Sequence, residues 1–125
     1  MAKAFYNSLT HSQDAEAAGT HVLEPGQTLS ERKQTSKSKH FYVLDVMNEI
    51  DIDISDYTRK PLTEELAKRY DIVVSMVDES DTPDWLRTSQ SYIHWDVKDP
   101  RGQDFATTAQ VRDDIKGRVV GLIKK

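Results

Sequence analysis

The 125-residue sequence contains no cysteine. A chain without cysteine forms no disulfide, offers no thiolate to zinc, and has no thiol nucleophile of its own. Its five glycines are scattered, so the sequence contains no glycine-rich loop of the kind that holds phosphate groups. These absences exclude several common kinds of chemical site.

The sequence also lacks long apolar runs and an excess of positive charge. No apolar run reaches the roughly 18 residues that a membrane span needs, and no signal peptide opens the chain. The net charge of −4 argues against a nucleic-acid partner, for which a basic face is expected. We therefore expect a cytoplasmic protein that binds neither membranes nor nucleic acid.

The length and composition predict one domain over residues 1–125, with a core of its own. Hydrophobic residues make up 37% of the chain and charged residues 30%, which is typical of a polar globular protein. The segment 24–40 is polar and rich in Ser, Thr and Lys. We interpret it as an elongated loop, and partial helix within it remains open.

Helical and strand-like patterns alternate along the chain. The predicted helices cover residues 1–9, 41–49, 63–70, 81–86 and 105–123, and the predicted strands cover 16–22, 71–78 and 91–97. Thr63 is the predicted N-cap of its helix. The last helix has an apolar stripe on one face, at Phe105, Thr108, Val111, Ile115, Val119 and Leu122. The segment 71–78 is almost continuously apolar between acidic ends, as is typical of a buried parallel strand. This order predicts an α/β fold, a three-layer, doubly wound parallel sheet. Three strands are few for such a sheet, which usually has about four to six.

One carboxylate occupies a position that suggests chemistry. Asp99 precedes Pro100, directly after the predicted strand 91–97. Loops that leave the carboxyl ends of strands bind ligands in open α/β sheets, so Asp99 is a candidate general acid. The alternative is that Asp99 merely begins a turn, because Asp and Pro are common turn residues. His94, beside Trp95, is interpreted as a packing or capping side chain.

The sequence predicts neither a metal site nor a cofactor. A calcium loop of the form Asp-x-Asp-x-Ser at residues 51–55 is rejected, because Asp56 stands where glycine is needed and Leu62 where glutamate is needed. The four histidines have no spacing typical of metal ligands; they are His11, His21, His40 and His94.

An ordered set of stretches resembles the low-molecular-weight protein tyrosine phosphatases and the related thioredoxin-type arsenate reductases. In the second half of the chain they are the residues HWDVKDP (94–100), VRDDI (111–115) and RV (118–119). In the first half, residues 2–5 resemble the helix after the family's phosphate loop, and residues 17–20 resemble its second strand. The segments 52–55 and 71–77 fall where the family has equivalents.

The resemblance implies a specific chemistry. In that family a first strand leads into a Cys-x5-Arg loop that holds the oxyanion, and its thiolate attacks phosphorus or arsenic. In the phosphatases a later aspartate before proline protonates the leaving group, and Asp99 matches it. This chain has no counterpart of the first strand, the loop, its Cys or its Arg. The expected fold is therefore an N-terminally truncated phosphatase-like fold in which Asp99 is a vestigial general acid.

Two functions are compatible with this resemblance. The first is a catalytically inactive domain that acts as a binding or assembly module. The second is a fragment of an active phosphatase or arsenate reductase, whose cysteine loop is missing through a wrong start or is supplied by another chain. A missing central strand leaves an open sheet edge, so we expect a homo-oligomer, strand exchange or a complementing chain. The deciding cysteines are absent, so the sequence does not separate phosphatase from reductase ancestry.

Overall fold

The computed structural model describes residues 1–19, 26–35, 42–58, 60–100 and 102–124. In chain order these residues form α1 (Ala2–Thr10), α2 (Leu29–Thr35), α3 (Val43–Asn48), α4 (Glu64–Ala67), β1 (Val73–Ser75), α5 (Asp84–Arg87), β2 (Tyr92–His94) and α6 (Phe105–Ile123). A 3₁₀ turn at Glu79–Asp81 lies between β1 and α5. Among these helices, none combines the length and the apolar character needed to cross a bilayer.

The two strands pair in parallel, as predicted, with Val74 aligned to Ile93. Each strand is shorter than its apolar segment, and α5 lies in the connection between them. The remaining predicted strand, 16–22, is represented in the described residues only by a bridge between Gly19 and Pro61. Residues 20–22 of that prediction lie outside the described part of the chain.

The predicted burial of the strand 71–78 is wrong. Only Ser75 in this segment is buried, whereas Ile72 is 46% exposed and Val77 is 38% exposed. The reason is that β1 has a strand neighbour on one side only within the described sheet. An apolar segment at such an edge has no second neighbour to cover it.

The core lies between α1, α3 and α6. The stripe predicted on α6 is buried at Thr108, Val111, Ile115 and Val119. It packs with apolar side chains of α1, α3 and the segment after α3, namely Ala4, Phe5, Leu44, Val46, Met47 and Ile54. Phe105 was predicted on the same stripe, but it is 37% exposed. Its ring instead meets the Tyr42 ring edge-on, with 5.8 Å between centroids.

The polar segment 24–40 contains the helix α2 and the described residues 26–28 before it, whereas residues 24–25 and 36–40 are outside the described part of the chain. The backbone before and at the start of α2 runs beside residues 55–58. Thr28 forms an antiparallel bridge with Thr58, and the Leu29 N–H donates to the Tyr57 carbonyl at 3.0 Å. Leu29 packs against the core, so this segment contributes one apolar side chain to it.

A buried arginine joins α6 to α3. Nη1 of Arg112 donates to the Val46 carbonyl at 2.8 Å and to Glu49 at 2.9 Å, and Nε donates to Asp113 at 2.9 Å. Arg112 is only 7% exposed. Its hydrogen bonds to Asp113 and Glu49 raise the pKa of the guanidinium despite desolvation. The charge is compatible with this burial because Nη1 and Nε each donate to an acceptor.

We expect Arg112→Ala to lower the free energy of unfolding by about 2–4 kcal/mol, because it leaves the buried Val46 carbonyl without its donor. Urea denaturation measures the change. The matched control is Arg69→Ala, since Arg69 is exposed and such surface changes stay within about 0.5 kcal/mol. Equal effects of the two substitutions would contradict the structural role of Arg112.

Two glycines within α6 weaken the helix without a steric reason. A Cβ atom at Gly117 or Gly121 would meet no atom within 4 Å. We expect Gly117→Ala and Gly121→Ala each to stabilise the protein by roughly 0.5–1 kcal/mol, the usual difference in helix propensity. The control is Gly102→Ala, which also has open space but a φ of +72°. This control should destabilise the protein, and thermal unfolding of the three variants distinguishes the cases.

Candidate functional site

The carboxyl ends of β1 and β2 lie at the same edge, because the strands are parallel. The imidazole of His94, the last residue of β2, lies with Nε2 3.0 Å from the Val77 carbonyl oxygen. The contact connects the end of β2 to the segment that follows β1. It agrees with the interpretation of His94 as a capping side chain.

The loop 95–104 carries the predicted acid, Asp99. At its start the Trp95 N–H donates to the Ser75 carbonyl at 2.9 Å. Asp99 is exposed, and the Gln103 N–H then donates to the Pro100 carbonyl at 3.1 Å. Asp99 thus stands immediately before a turn, in a loop that leaves the carboxyl end of a strand. The two interpretations made from the sequence, a turn residue and a general acid, therefore both stay predictions.

The two ends of this loop are attached to α6. Asp104 caps the helix, since its Oδ1 accepts a hydrogen bond from the Thr107 N–H at 2.8 Å. Nη2 of Arg118 donates to the Asp96 carbonyl at 3.1 Å, and its Nε donates to Asp114 at 3.1 Å. The long helix therefore determines where the Asp99 loop lies. The spacing of Asp114 and Arg118 was a visible i, i+4 signal, but the contact with Asp96 was not.

Ser75, the last residue of β1, carries a buried hydroxyl at the carboxyl end of the strand. Its Oγ lies 3.3 Å from Oγ1 of Thr82, which donates to the Asp78 carbonyl at 3.1 Å. Both residues are more than 90% buried. Nucleophilic serine needs a neighbouring base, but the Ser75 hydroxyl is hydrogen-bonded only to the Thr82 hydroxyl among the described residues. The pair stabilises the turn after β1.

A compact group of charges lies at the start of α1. Lys3 and Lys60 bind the two carboxylate oxygens of Glu16, at 2.9 and 3.0 Å. The Lys3 ammonium also lies 4.4 Å from the centre of the Tyr57 ring. The group joins α1 to Glu16, in the segment that follows α1, and to Tyr57 and Lys60, in the segment before α4. The sequence spacing alone did not reveal it.

The environment of Glu16 changes its acidity. Desolvation raises the pKa of the carboxyl, but the hydrogen bonds from Lys3, Lys60 and the Ala17 N–H outweigh it and lower the pKa to about 2. Glu16 therefore stays ionised near neutral pH. The carboxylate is occupied by two lysines and is not available as a proton donor.

No cluster of three or more His, Asp or Glu side chains is arranged to hold a metal ion within the described ranges. That the protein uses neither a metal ion nor a cofactor stays a prediction from the sequence. No thiol is available at this site, since the chain has no cysteine.

Comparison with known proteins gives a consistent set of relatives. The chain is 29% identical over 106 residues to an arsenate reductase of Staphylococcus aureus strain N315, covering 84% of this chain and 81% of that protein. It is 34% identical over 92 residues to the glutaredoxin arsenate reductase of Synechocystis sp., covering 72% of this chain and 70% of that protein. No protein-family model matches the chain.

Solved structures show the same fold. A low-molecular-weight protein tyrosine phosphatase from T. tengcongensis superposes with a TM-score of 0.75 at 21% identity, covering 98% of this chain and 87% of that chain. Wzb of Vibrio vulnificus, solved in complex with benzylphosphonate, superposes with a TM-score of 0.71 at 15% identity, covering 98% and 86%. The predicted three-layer, doubly wound α/β fold is confirmed.

The lowered pKa of Glu16 predicts that its contribution to the stability of the fold depends on pH. Its pKa is about 2 in the folded protein and 4.5 in a model peptide, so its ion pairs stabilise the fold above pH 4.5 and lose effect as the pH falls towards 2. Because surface pairs are screened, we expect Glu16→Gln to cost about 1 kcal/mol near neutral pH.

The measurement is chemical denaturation of both proteins between pH 7 and pH 2. The difference in unfolding free energy should shrink below pH 4.5. The matched control is Glu79→Gln, an exposed glutamate with no ion pair to another described residue. A Glu16→Gln difference that is constant with pH would refute the role of the two lysines.

Proposed function

The chain belongs to the family of low-molecular-weight protein tyrosine phosphatases and related arsenate reductases, and on that premise we propose that it is a domain without catalytic activity of its own that serves as a binding or assembly module. The absence of cysteine carries the first half of this proposal. The covalent chemistry expected of the family starts with attack by a thiolate. This chain contains no group that forms one.

No other described side chain takes over that role. Ser75 is buried in its pair with Thr82 and has no base among its contacts. Asp99 is an exposed carboxylate in a well-anchored loop. In such a displacement the general acid protonates the leaving group in the same step in which the nucleophile attacks, so an acid without a nucleophile does not complete the reaction. In these 125 residues Asp99 is therefore a vestigial acid.

The second half of the proposal is supported by the sheet. Within the described residues, β1 pairs with β2 on one side only. A strand with one unpaired edge presents free N–H and C=O groups to another chain. This unpaired edge supports the proposal of an assembly module.

A second function is favoured by the preserved Asp99 loop. Its two ends are held on α6, by Arg118 at Asp96 and by the Asp104 cap. Such an arrangement would serve an enzyme whose nucleophile comes from residues outside these 125, in the same or in another polypeptide. In that case this chain would supply the scaffold and the acid, and the other residues would supply the cysteine.

The first proposal predicts that the 125-residue chain hydrolyses p-nitrophenyl phosphate no faster than buffer, because no nucleophile is present. It also predicts no reduction of arsenate in the presence of glutaredoxin or thioredoxin and a reducing system. Absorbance at the nitrophenolate band and an arsenite assay measure the two reactions. A rate above buffer that disappears in Asp99→Ala would overturn the proposal.

The second function makes a different prediction for a preparation in which a cysteine-bearing segment restores activity. There, Asp99→Asn should lower the rate by about 10²–10⁴-fold, the usual contribution of a general acid. The matched control is Asp96→Asn, an exposed aspartate in the same loop, which should leave the rate unchanged. Equal rates in both variants would remove Asp99 from the mechanism.

A further inference from the structure

Three hydrogen-bond donors converge on the carboxylate of Glu16, in the segment that follows α1. Nζ of Lys3 donates to Oε1 at 2.9 Å, and the Ala17 N–H donates to the same oxygen at 3.1 Å. Nζ of Lys60 lies 3.0 Å from Oε2. The side chains of Lys3 and Glu16 are 24% and 26% exposed, so the carboxylate is partly removed from water. Two ammonium groups and a backbone N–H around one anion are the elements of an oxyanion-binding site.

Contacts that do not involve the Glu16 side chain hold the surrounding backbone in place. The side chain of Asn7, on α1, donates to the Ala15 carbonyl at 3.2 Å and accepts from the Ala15 N–H at 2.9 Å. The Gly19 N–H donates to the Lys60 carbonyl at 3.0 Å. The backbone on the two sides of Glu16 is therefore attached to α1 and to the segment that carries Lys60.

The Tyr57 ring gives Lys3 a second contact. The Lys3 ammonium lies 4.4 Å from the centre of this ring, a distance at which the face of an aromatic ring attracts a cation. Tyr57 packs against the core, so the ring is itself supported. Lys3 therefore has a contact that keeps it at this place when the Glu16 carboxylate is removed.

The charges of this group do not balance. Lys3 and Lys60 contribute two positive charges and Glu16 contributes one negative charge, which leaves one positive charge. A carboxylate therefore neutralises only one of the two ammonium groups. An oxyanion of the phosphate type carries up to about two negative charges near neutral pH and several strong acceptor oxygens. Such an anion matches the three donors better than a carboxylate does.

We propose that Lys3, Lys60 and the Ala17 N–H form a binding site for a small phosphate-type oxyanion, and that the Glu16 carboxylate fills this site from within the chain. Glu16 is then an autoinhibitory group. Because it is attached beside the site, its effective concentration there is in the millimolar range or above, and a free anion at lower concentration does not displace it. The site includes no residue of the Asp99 loop and needs no nucleophile, so the inference goes beyond the proposed function.

Titration of the full 125-residue chain with sodium phosphate at constant ionic strength tests the site. The readout is the Ala17 amide signal in proton–nitrogen correlation NMR spectra. In Glu16→Ala this signal should shift saturably, with a dissociation constant at least about tenfold lower than that of the unsubstituted chain, because the internal competitor is gone. The matched control is Glu79→Ala, which removes one exposed carboxylate elsewhere. It changes the net charge equally and should bind phosphate no better than the unsubstituted chain.

A second substitution identifies one of the donors. Lys60→Met in the Glu16→Ala background keeps a long side chain but removes its charge. It should weaken phosphate binding by about tenfold, the usual loss for one charge-assisted hydrogen bond. The control in the same background is Lys68→Met, since Lys68 is exposed and pairs with Glu64 on α4. This control should leave the affinity unchanged.

Thermal unfolding gives a second readout of the same site. Phosphate should raise the melting temperature of Glu16→Ala by about 3 °C or more beyond its effect on Glu79→Ala, because a ligand that binds only the folded chain stabilises it. Sodium chloride of equal ionic strength is the reference. If Glu16→Ala does not fold, Glu16→Gln takes its place, since it removes the charge and keeps the size of the side chain.

Four results would overturn the inference. They are absence of phosphate binding to Glu16→Ala, equal binding by Glu16→Ala and the unsubstituted chain, an equal gain in Glu79→Ala, and undiminished binding after Lys60→Met. Hydrolysis of p-nitrophenyl phosphate, by contrast, would contradict the absence of catalysis without affecting this site, so the two proposals fail separately.

Discussion

The structure depends on the attachment of α6 to α1 and α3. Its apolar stripe forms the core with Phe5 and Met47, and Arg112 satisfies the Val46 carbonyl across the helix interface. The same helix holds the Asp99 loop through Arg118. The core and the loop are therefore attached to the same helix.

The parts of the fold that depend on local pattern were predictable from the sequence. The helices α1 and α6 follow from the spacing of their apolar residues, and the Thr63 cap of α4 from its residue type. The exposure of the segment 71–78 was not predictable, because an apolar run in the sequence does not show whether the strand has a neighbour on both sides. The role of Arg112 was also missed, because its acceptor Val46 is 66 residues away in the chain.

The candidate site was likewise predictable only in part. The position of Asp99 after a strand and before Pro100 was evident from the sequence, and the structure places it in an exposed loop at that point. The anchoring of that loop was not evident, because Arg118 binds the backbone carbonyl of Asp96, which any residue would offer. A chain without cysteine thus keeps the family's fold.

Hydrogen exchange of the Val74 amide in the free chain tests the open edge most directly. The account predicts that this amide exchanges almost without protection, while the amides of Val73 and Trp95, which are bonded between the strands, exchange slowly. Protection of Val74 equal to that of Val73 would mean that the edge is already occupied. It would contradict the claim that β1 is available to another chain.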